Sequence, residues 1–432
     1  MRPFLGNNVN KAPASSDSSA LLRALFVCAL GYFIDAADVH LLAVLRVASL
    51  QDLGVPTARL AAVSGALLNF QMFGMLLGAF LWGYLADRFG RLKALYGSIL
   101  IYSLGTLACG LVRSPIAYEW LRLTTGFGLA GETGVAVTLI AELLPVGRRG
   151  WGIAAVSTIG FFGPLFVAGV STLMPWRLTY AALGATGLLV LVLRLKLTEP
   201  ELLLRARRAE LRPGSLRLLA QPRQAAAFAR CVLVGLPLIY LWSLLNFFSL
   251  ELSRAVLPPG TEFRQKSCLL LFYGGTCLGG ILSGALTQLW GNRRLSLGVF
   301  LFAGATTSAV FLLAGPRLAL PAAAVYALYF ALGTAGGGWV LFTAVAAEHF
   351  GTNIRATASI LTANIVRGFT VPMVAAFVAL RGYTGDSNAA ALIGLVLFSA
   401  AFTALRGLRE THDVDLDYVE RPDGQEIAGR TA

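Results

Sequence analysis

The stretch Gly83–Lys93, GYLADRFGRLK, gathers one acid, three bases and two glycines in a chain that is otherwise almost wholly apolar. An apolar run ending MLLGAFLW precedes it, and one beginning ALYGSILIYSL follows. Each flanking run is long enough to cross a hydrocarbon core of about 30 Å at about 1.5 Å per helical residue. The charges therefore mark a short polar loop between two membrane-spanning helices.

The rest of the chain repeats that alternation. Of 432 residues, 56% are hydrophobic and only 13% charged, with a mean hydropathy of +0.71. Soluble domains carry about 25% charge, so the composition excludes them. The sequence predicts an all-α integral membrane protein with about twelve transmembrane helices, near residues 20–47, 59–86, 93–112, 115–144, 151–173, 176–195, 226–254, 266–289, 295–314, 318–347, 356–380 and 389–405. Residues 1–19 read as a cytoplasmic tail with no apolar core or cleavage site, so the first span is its own insertion signal. The five cysteines, Cys28, Cys109, Cys231, Cys268 and Cys277, fall in or beside spans and read as inert thiols. They lack metal-ligand spacing, and the three histidines are scattered, so no metal or cofactor is expected.

The net charge of +13 follows the positive-inside rule; it does not call for nucleic acid. With both termini cytoplasmic, the inner side collects Arg88, Arg91, Lys93, Arg148, Arg149, Arg293, Arg294, Arg355 and a cluster from Arg194 to Arg230. The outer side holds scattered bases such as Arg46, Arg113 and Arg177. Residues 197–225 form a central loop that divides six spans (20–196) from six (226–407). Its Arg-rich, Leu-spaced pattern fits amphipathic helices on the inner leaflet or a solvated linker with a basic face. Residues 408–432 form a polar tail expected to be disordered.

The opening stretch has an echo in GALTQLWGNRR, Gly284–Arg294. AELLPVGRRG (Ala141–Gly150) likewise aligns with AEHFGTNIRA (Ala347–Ala356), placing Glu142 and Arg149, then Glu348 and Arg355, seven residues apart. Two ordered matches about 200 residues apart imply a parallel internal repeat, and hence two pseudo-symmetric six-helix bundles.

GYLADRFGRLK resembles the loop signature of the major facilitator superfamily, with Gly83, Asp87, Arg88, Gly90, Arg91 and Lys93 at matching positions. The resemblance spans essentially the whole chain. It implies a central cavity that opens alternately to the two sides of a membrane, and a cytoplasmic latch made by this loop. Gly83 would allow close helix approach, Asp87 would sit near a helix N-terminus of the other half, and the bases would pair with Glu142. The second copy has Gln288 where the first has its acid.

Charges inside spans are costly and mark function by default. Span one reads LGYFIDAADVHLLAVL, with Asp35 and Asp38 sharing a face and Tyr32 three residues before Asp35. Two neighbouring carboxylates in low dielectric resist joint ionisation, which suits proton coupling. The D-x-x-D also resembles the metabolite–proton symporter branches of the superfamily. His40 reads as interfacial. In span four, Arg122 lies at a depth that permits pairing with Asp35 or Asp38, and RLTTG resembles the R-x-x-x-G of proton-coupled facilitators. Glu132, deeper and beside Gly131 and Gly134, is a second coupling candidate or a structural acid. In span eleven, Arg367 with Asn364 suits a solute carboxylate or pairs internally. Tyr32 is a further solute-binding candidate, and Arg122, like Arg367, would bind the solute anion or reset the acids; Asn246 near Pro237, and Trp339 beside Gly336–Gly338, whose glycines would soften a gating helix, are weaker solute-binding candidates.

The chain lacks the paired-glutamine and post-span-six patterns of sugar porters. GFFGPLFVAG (Gly160–Gly169) only partly matches the drug-antiporter signature. No nucleotide loop and no nucleophile–base set appears. The expectation is therefore no enzyme, but a monomeric, proton-coupled symporter of a small organic solute, an anion in particular, in the inner membrane. The alternatives are a proton-coupled efflux antiporter and a non-transporting receptor or scaffold.

Overall fold

The computed structural model of the chain describes residues 18–132, 146–195, 216–412, 418–420 and 426–428. The first half contains α1 (Ser18–Asp52), α2 (Leu60–Phe89), α3 (Arg91–Cys109), α4 (Pro115–Leu129), α5 (Val146–Val170) and α6 (Trp176–Arg194). The second contains α7 (Pro222–Asn246), α8 (Gln265–Trp290), α9 (Arg293–Leu318), α10 (Ala322–Glu348), α11 (Arg355–Thr384) and α12 (Asp386–Arg406). Among the described residues, ten of these helices are long and apolar enough to cross a membrane. The other two, α4 and α5, flank the stretch 133–145, which lies outside the described residues. Large apolar side chains such as Phe166, Val192, Phe302 and Leu395 stay exposed on the outside, as a lipid-facing wall requires.

Local chemistry sets the helix ends. Ser114 caps α4 by accepting from the Ala117 N–H, with Pro115 in the first turn. Asn292 caps α9 through Leu295. Gly90, at φ 120°, lets the chain turn directly from α2 into α3, a backbone that side chains other than hydrogen strain to adopt. Three residues after Pro237, α7 loosens into a π-helical stretch, Tyr240–Asn246. At Gly337 and Gly338, α10 is interrupted, where the glycine run predicted a soft point.

The internal repeat reappears in the packing. A Cβ on Gly74 or Gly78 of α2 would strike the backbone of Leu123 or Phe127 in α4. Gly275 and Gly279 of α8, 201 residues later, stand in the same relation to Phe330 and Thr334 of α10. Both pairs are small-x-x-x-small crossings in which backbones meet, giving van der Waals contact that lipid cannot match.

Two expectations change here. The C-terminal tail carries a short antiparallel pairing, Tyr418–Glu420 with Glu426–Ala428. In the central loop, the described part is the short helix Leu216–Leu219 followed by α7, which starts at Pro222, not 226. The Pro at its first position favours that earlier start.

Candidate functional site

A cavity opens between the two halves. It is lined by Tyr32, Ala36, Val39, His40 and Ala43 of α1, Phe161 of α5, Trp242, Ser243 and Asn246 of α7, Trp339 of α10 and Arg367 of α11. The room open to the centre of a water molecule is about 60 Å³. Its α1 lining falls at helical spacing on one stripe. Gly160 leaves space for the Tyr32 ring, which a Cβ there would strike. Aromatic rings wall the cavity: Trp242 lies 5.8 Å from Phe161 and 4.5 Å from His40, centroid to centroid. The Arg367 guanidinium sits 5.2 Å from the Trp339 ring centroid, a cation–π distance. Among the described residues, no carboxylate lines this space.

Four of the predicted solute-binding residues, Tyr32, Asn246, Trp339 and Arg367, thus share one cavity. Asn364 lies behind it. Its amide donates to the Ala130 carbonyl of the first half at 3.0 Å, and its Oδ1 accepts from Arg367 at 3.4 Å. It joins the halves and steers the arginine. Arg122 also stands apart from the cavity. Of the two partners its depth permitted, it takes Asp38, at 3.2 Å, and Thr106 donates to the same carboxylate. Arg122 and Asp38 are both fully buried. The Arg122 guanidinium lies over Tyr180, whose hydroxyl bonds that of Tyr118. Asp35 is fully buried and off the cavity lining.

His40 is not interfacial. It faces the cavity, with its Nδ1 bonded to the Ala36 carbonyl at 2.7 Å. A carbonyl only accepts, so Nδ1 carries the proton, and in the neutral ring Nε2 is left as an acceptor. Trp242, in the π-helical stretch of α7, packs against it, a juxtaposition invisible in helical spacing alone.

Glu132 has a partner that sequence position concealed. Arg194, read with the basic central cluster, is fully buried and holds Glu132 through both guanidinium nitrogens, one at 2.7 Å. Such a bidentate pair satisfies two charges that neither helix could bury alone. Gly31 provides the room, since a Cβ there would meet the Arg194 guanidinium. Tyr102 is fully buried in the same half. Its hydroxyl is buried and forms no hydrogen bond among the described residues.

The halves also touch on either side of the cavity. Toward the face bearing the Gly83–Lys93 loop, Thr357 at the start of α11 donates to the Gly83 carbonyl at 3.1 Å. Arg88 lies over Tyr84, 5.3 Å from its centroid, and Lys93 is exposed. Glu142 lies outside the described residues, as do the side chains of Asp87, Arg91 and Arg149. The second copy shows an acid–base pair of the kind expected of the first: Arg293 bonds Glu348 at 2.7 Å. Arg355 is fully buried and donates to the Phe350 carbonyl at 3.2 Å. At the opposite face, Arg46 of α1 pairs with Glu251 at 3.3 Å and lies 4.7 Å from the Phe247 centroid. Its partners lie 205 residues apart, too far for any local spacing to mark the link.

A span-rich helical fold, an internal repeat and an inter-half cavity define a membrane carrier. The family model of the Major Facilitator Superfamily matches residues 28–375, and the chain belongs to that superfamily. It is 26% identical to the putative niacin/nicotinamide transporter NiaP of Bacillus subtilis over 411 residues, covering 91% of this chain and 98% of the relative. It is 33% identical to the niacin transporter NiaP of Acinetobacter baylyi over 179 residues, 40% of each chain. The gallate transporter of Pseudomonas putida is 33% identical over 174 residues, 39% of this chain and 37% of the relative. The solved proton:xylose symporter XylE superposes with a TM-score of 0.68 at 17% identity, covering 93% of this chain and 98% of the other. At that identity the likeness concerns the fold.

Proposed function

We propose that this transporter is a proton-coupled symporter that brings a small aromatic carboxylate across the inner membrane by alternating access. The observation that carries this reading is Arg367, held over Trp339 in an aromatic-walled cavity between the halves. A guanidinium there recognises a carboxylate, and the rings stack on the solute's apolar body. His40 Nε2 would accept from a donor elsewhere on the ring, giving recognition at two ends. The relatives named for niacin and gallate, both aromatic acids, agree with this chemistry.

Asp38 would carry the proton, with Asp35 beside it and Glu132 in reserve. Protonation of Asp38 removes the charge that holds Arg122, so the pair can separate when α1 and α4 rearrange. Gly83, Asp87, Arg88, Gly90, Arg91, Lys93, Glu142, Arg149, Glu348 and Arg355 would govern the cytoplasmic gate, and Arg46–Glu251 the outer one. The basic face is assigned to the cytoplasm, with both termini there, by the positive-inside rule. The working unit is a monomer in the bilayer.

Proton flux into proteoliposomes, with a panel of aromatic acids, sugars and lipophilic cations, tests the reading. External alkalinisation on adding pyridine-3-carboxylate or a hydroxybenzoate, lost in Asp38→Asn and Arg367→Gln, is expected. A response only to lipophilic cations, with opposite proton movement, would replace it with efflux.

A further inference from the structure

Ser243 lines the central cavity from the π-helical stretch of α7, where its side chain is buried. Serine and threonine inside a helix commonly bond the carbonyl four residues back. Thr343 and Thr362, on α10 and α11, do so. Ser243 has no such bond. Its oxygen lies instead 2.9 Å from the hydroxyl of Thr370 on α11. Thr370 is fully buried and stands outside the cavity lining. A hydroxyl carries one proton and two acceptor lone pairs. Among the described residues, each of these two hydroxyls makes this one hydrogen bond, so the Thr370 proton goes to Ser243. The Ser243 proton is then left as a donor at the cavity wall. A buried donor left unmet is costly, and here it borders a space in which a solute can supply the acceptor.

The neighbouring side chain, Trp242, packs against His40, whose neutral ring keeps Nε2 as an acceptor. The lining therefore offers a donor from α7 and an acceptor from α1. A hydroxyl on a solute satisfies both, accepting from Ser243 and donating to His40. Along α11, Thr370 stands three residues, or about 4.5 Å, beyond Arg367. Helical side chains lean toward the N-terminus of their helix, so the Arg367 fork reaches away from the Ser243–Thr370 bond. The guanidinium and the serine hydroxyl thus act at different levels of one aromatic-walled space.

We infer that Ser243 is a specificity-determining residue that donates to an oxygen on the ring of the solute, at the end remote from its carboxylate, and that Thr370 is the positioning residue that keeps the serine proton turned into the cavity. This role rests on the proposed reading of the cavity as an aromatic-carboxylate site, and it narrows that class to acids with a ring oxygen substituent opposite the carboxylate. A bare ring leaves the serine proton unmet, and a site built to hydrogen-bond an oxygen discriminates against the analogue that lacks it. A methoxy group accepts from Ser243 but gives His40 nothing.

The test is titration calorimetry of the purified full chain in a neutral detergent, with 4-hydroxybenzoate, 4-methoxybenzoate and benzoate. Ser243→Ala should weaken the two oxygen-bearing acids about tenfold and leave benzoate where it is. Thr370→Val frees the serine to turn back to its own helix and should shrink the same selectivity, while Thr370→Ser keeps the hydroxyl and should retain it. The double variant of Ser243→Ala with Thr370→Val strands no proton and should match Ser243→Ala in selectivity, which separates a lost contact from local misfolding. Equal loss for all three acids in Ser243→Ala and in the double variant, or no loss for any, overturns the role of Ser243 and leaves the carboxylate reading standing. A parent that binds none of the three acids overturns both.

Discussion

Gly83 of the first half and Thr357 of the second meet closely because the glycine has no side chain. The threonine hydroxyl bonds the glycine carbonyl at 3.1 Å, and a Cβ added to Gly83 would lie 3.2 Å from the Thr357 Cα. That spacing is tight for one methyl and too small for a branched side chain. Gly83→Ala should retain most transport. Gly83→Val should insert and fold yet lose most of it, because the halves cannot close on this face. Uptake assays with surface-expression controls, and cysteine accessibility at the cavity, check both outcomes.

The Asp38–Arg122 pair gives a double-mutant cycle. Arg122→Gln strands a buried carboxylate, which costs about 3–5 kcal/mol and lowers the melting temperature. Adding Asp38→Asn should recover much of that stability without restoring proton-driven uptake. If the double variant is as unstable as Arg122→Gln, the pair contributes packing and not charge balance. Tyr102→Phe should melt like the parent, since its hydroxyl bonds nothing described.

Within the central cavity, Arg367→Gln should weaken carboxylate binding about thirtyfold or more, the worth of a charge-assisted pair. Arg367→Lys keeps the charge but loses the planar fork and should fall between. His40→Ala should affect ring-hydroxylated acids more than unsubstituted benzoate. Competition binding with a labelled aromatic acid separates these effects.

Gly31→Ala should destabilise the first half, because the guanidinium it displaces is fixed at both ends by Glu132 and cannot move aside. The triple variant Gly31→Ala, Glu132→Gln, Arg194→Gln should regain melting temperature relative to Gly31→Ala. An unchanged melt in the single variant would show that Arg194 has room to shift.

Burial alone would raise the Glu410 carboxyl, but four backbone N–H donors outweigh it and hold the group below its usual 4.5. A carboxyl lowered on folding stabilises the fold above its unfolded value, and that contribution is lost as pH falls through the folded one. Glu410→Gln should therefore melt below the parent at neutral pH, by roughly 1 kcal/mol of anchoring at the start of α9. The gap should close at acid pH. A gap independent of pH would point to shape and not charge.

Spans, repeat and loop signature were legible because they depend on composition and one-dimensional spacing. Gly83, Arg367 and the Arg122–Asp38 option were legible for the same reason: depth along a helix can be counted. What escaped was rotation and partnership across distance. Arg194 reads as a loop base because it ends a span, yet the α6 face it occupies points inward to Glu132. His40 reads as peripheral until Trp242 of α7 is seen packed against it. Arg46 and Glu251 are ordinary outer charges in one dimension, and only the approach of the halves joins them.

The helix α1 shows two different faces. Tyr32, Ala36, Val39, His40 and Ala43 look into the cavity, while Asp38 looks away toward Thr106 and Arg122. Mutations that resculpt the first stripe leave the second undisturbed. Descendants of such a chain could therefore acquire new cargo by drift at a handful of lining positions while inheriting their ion pair intact.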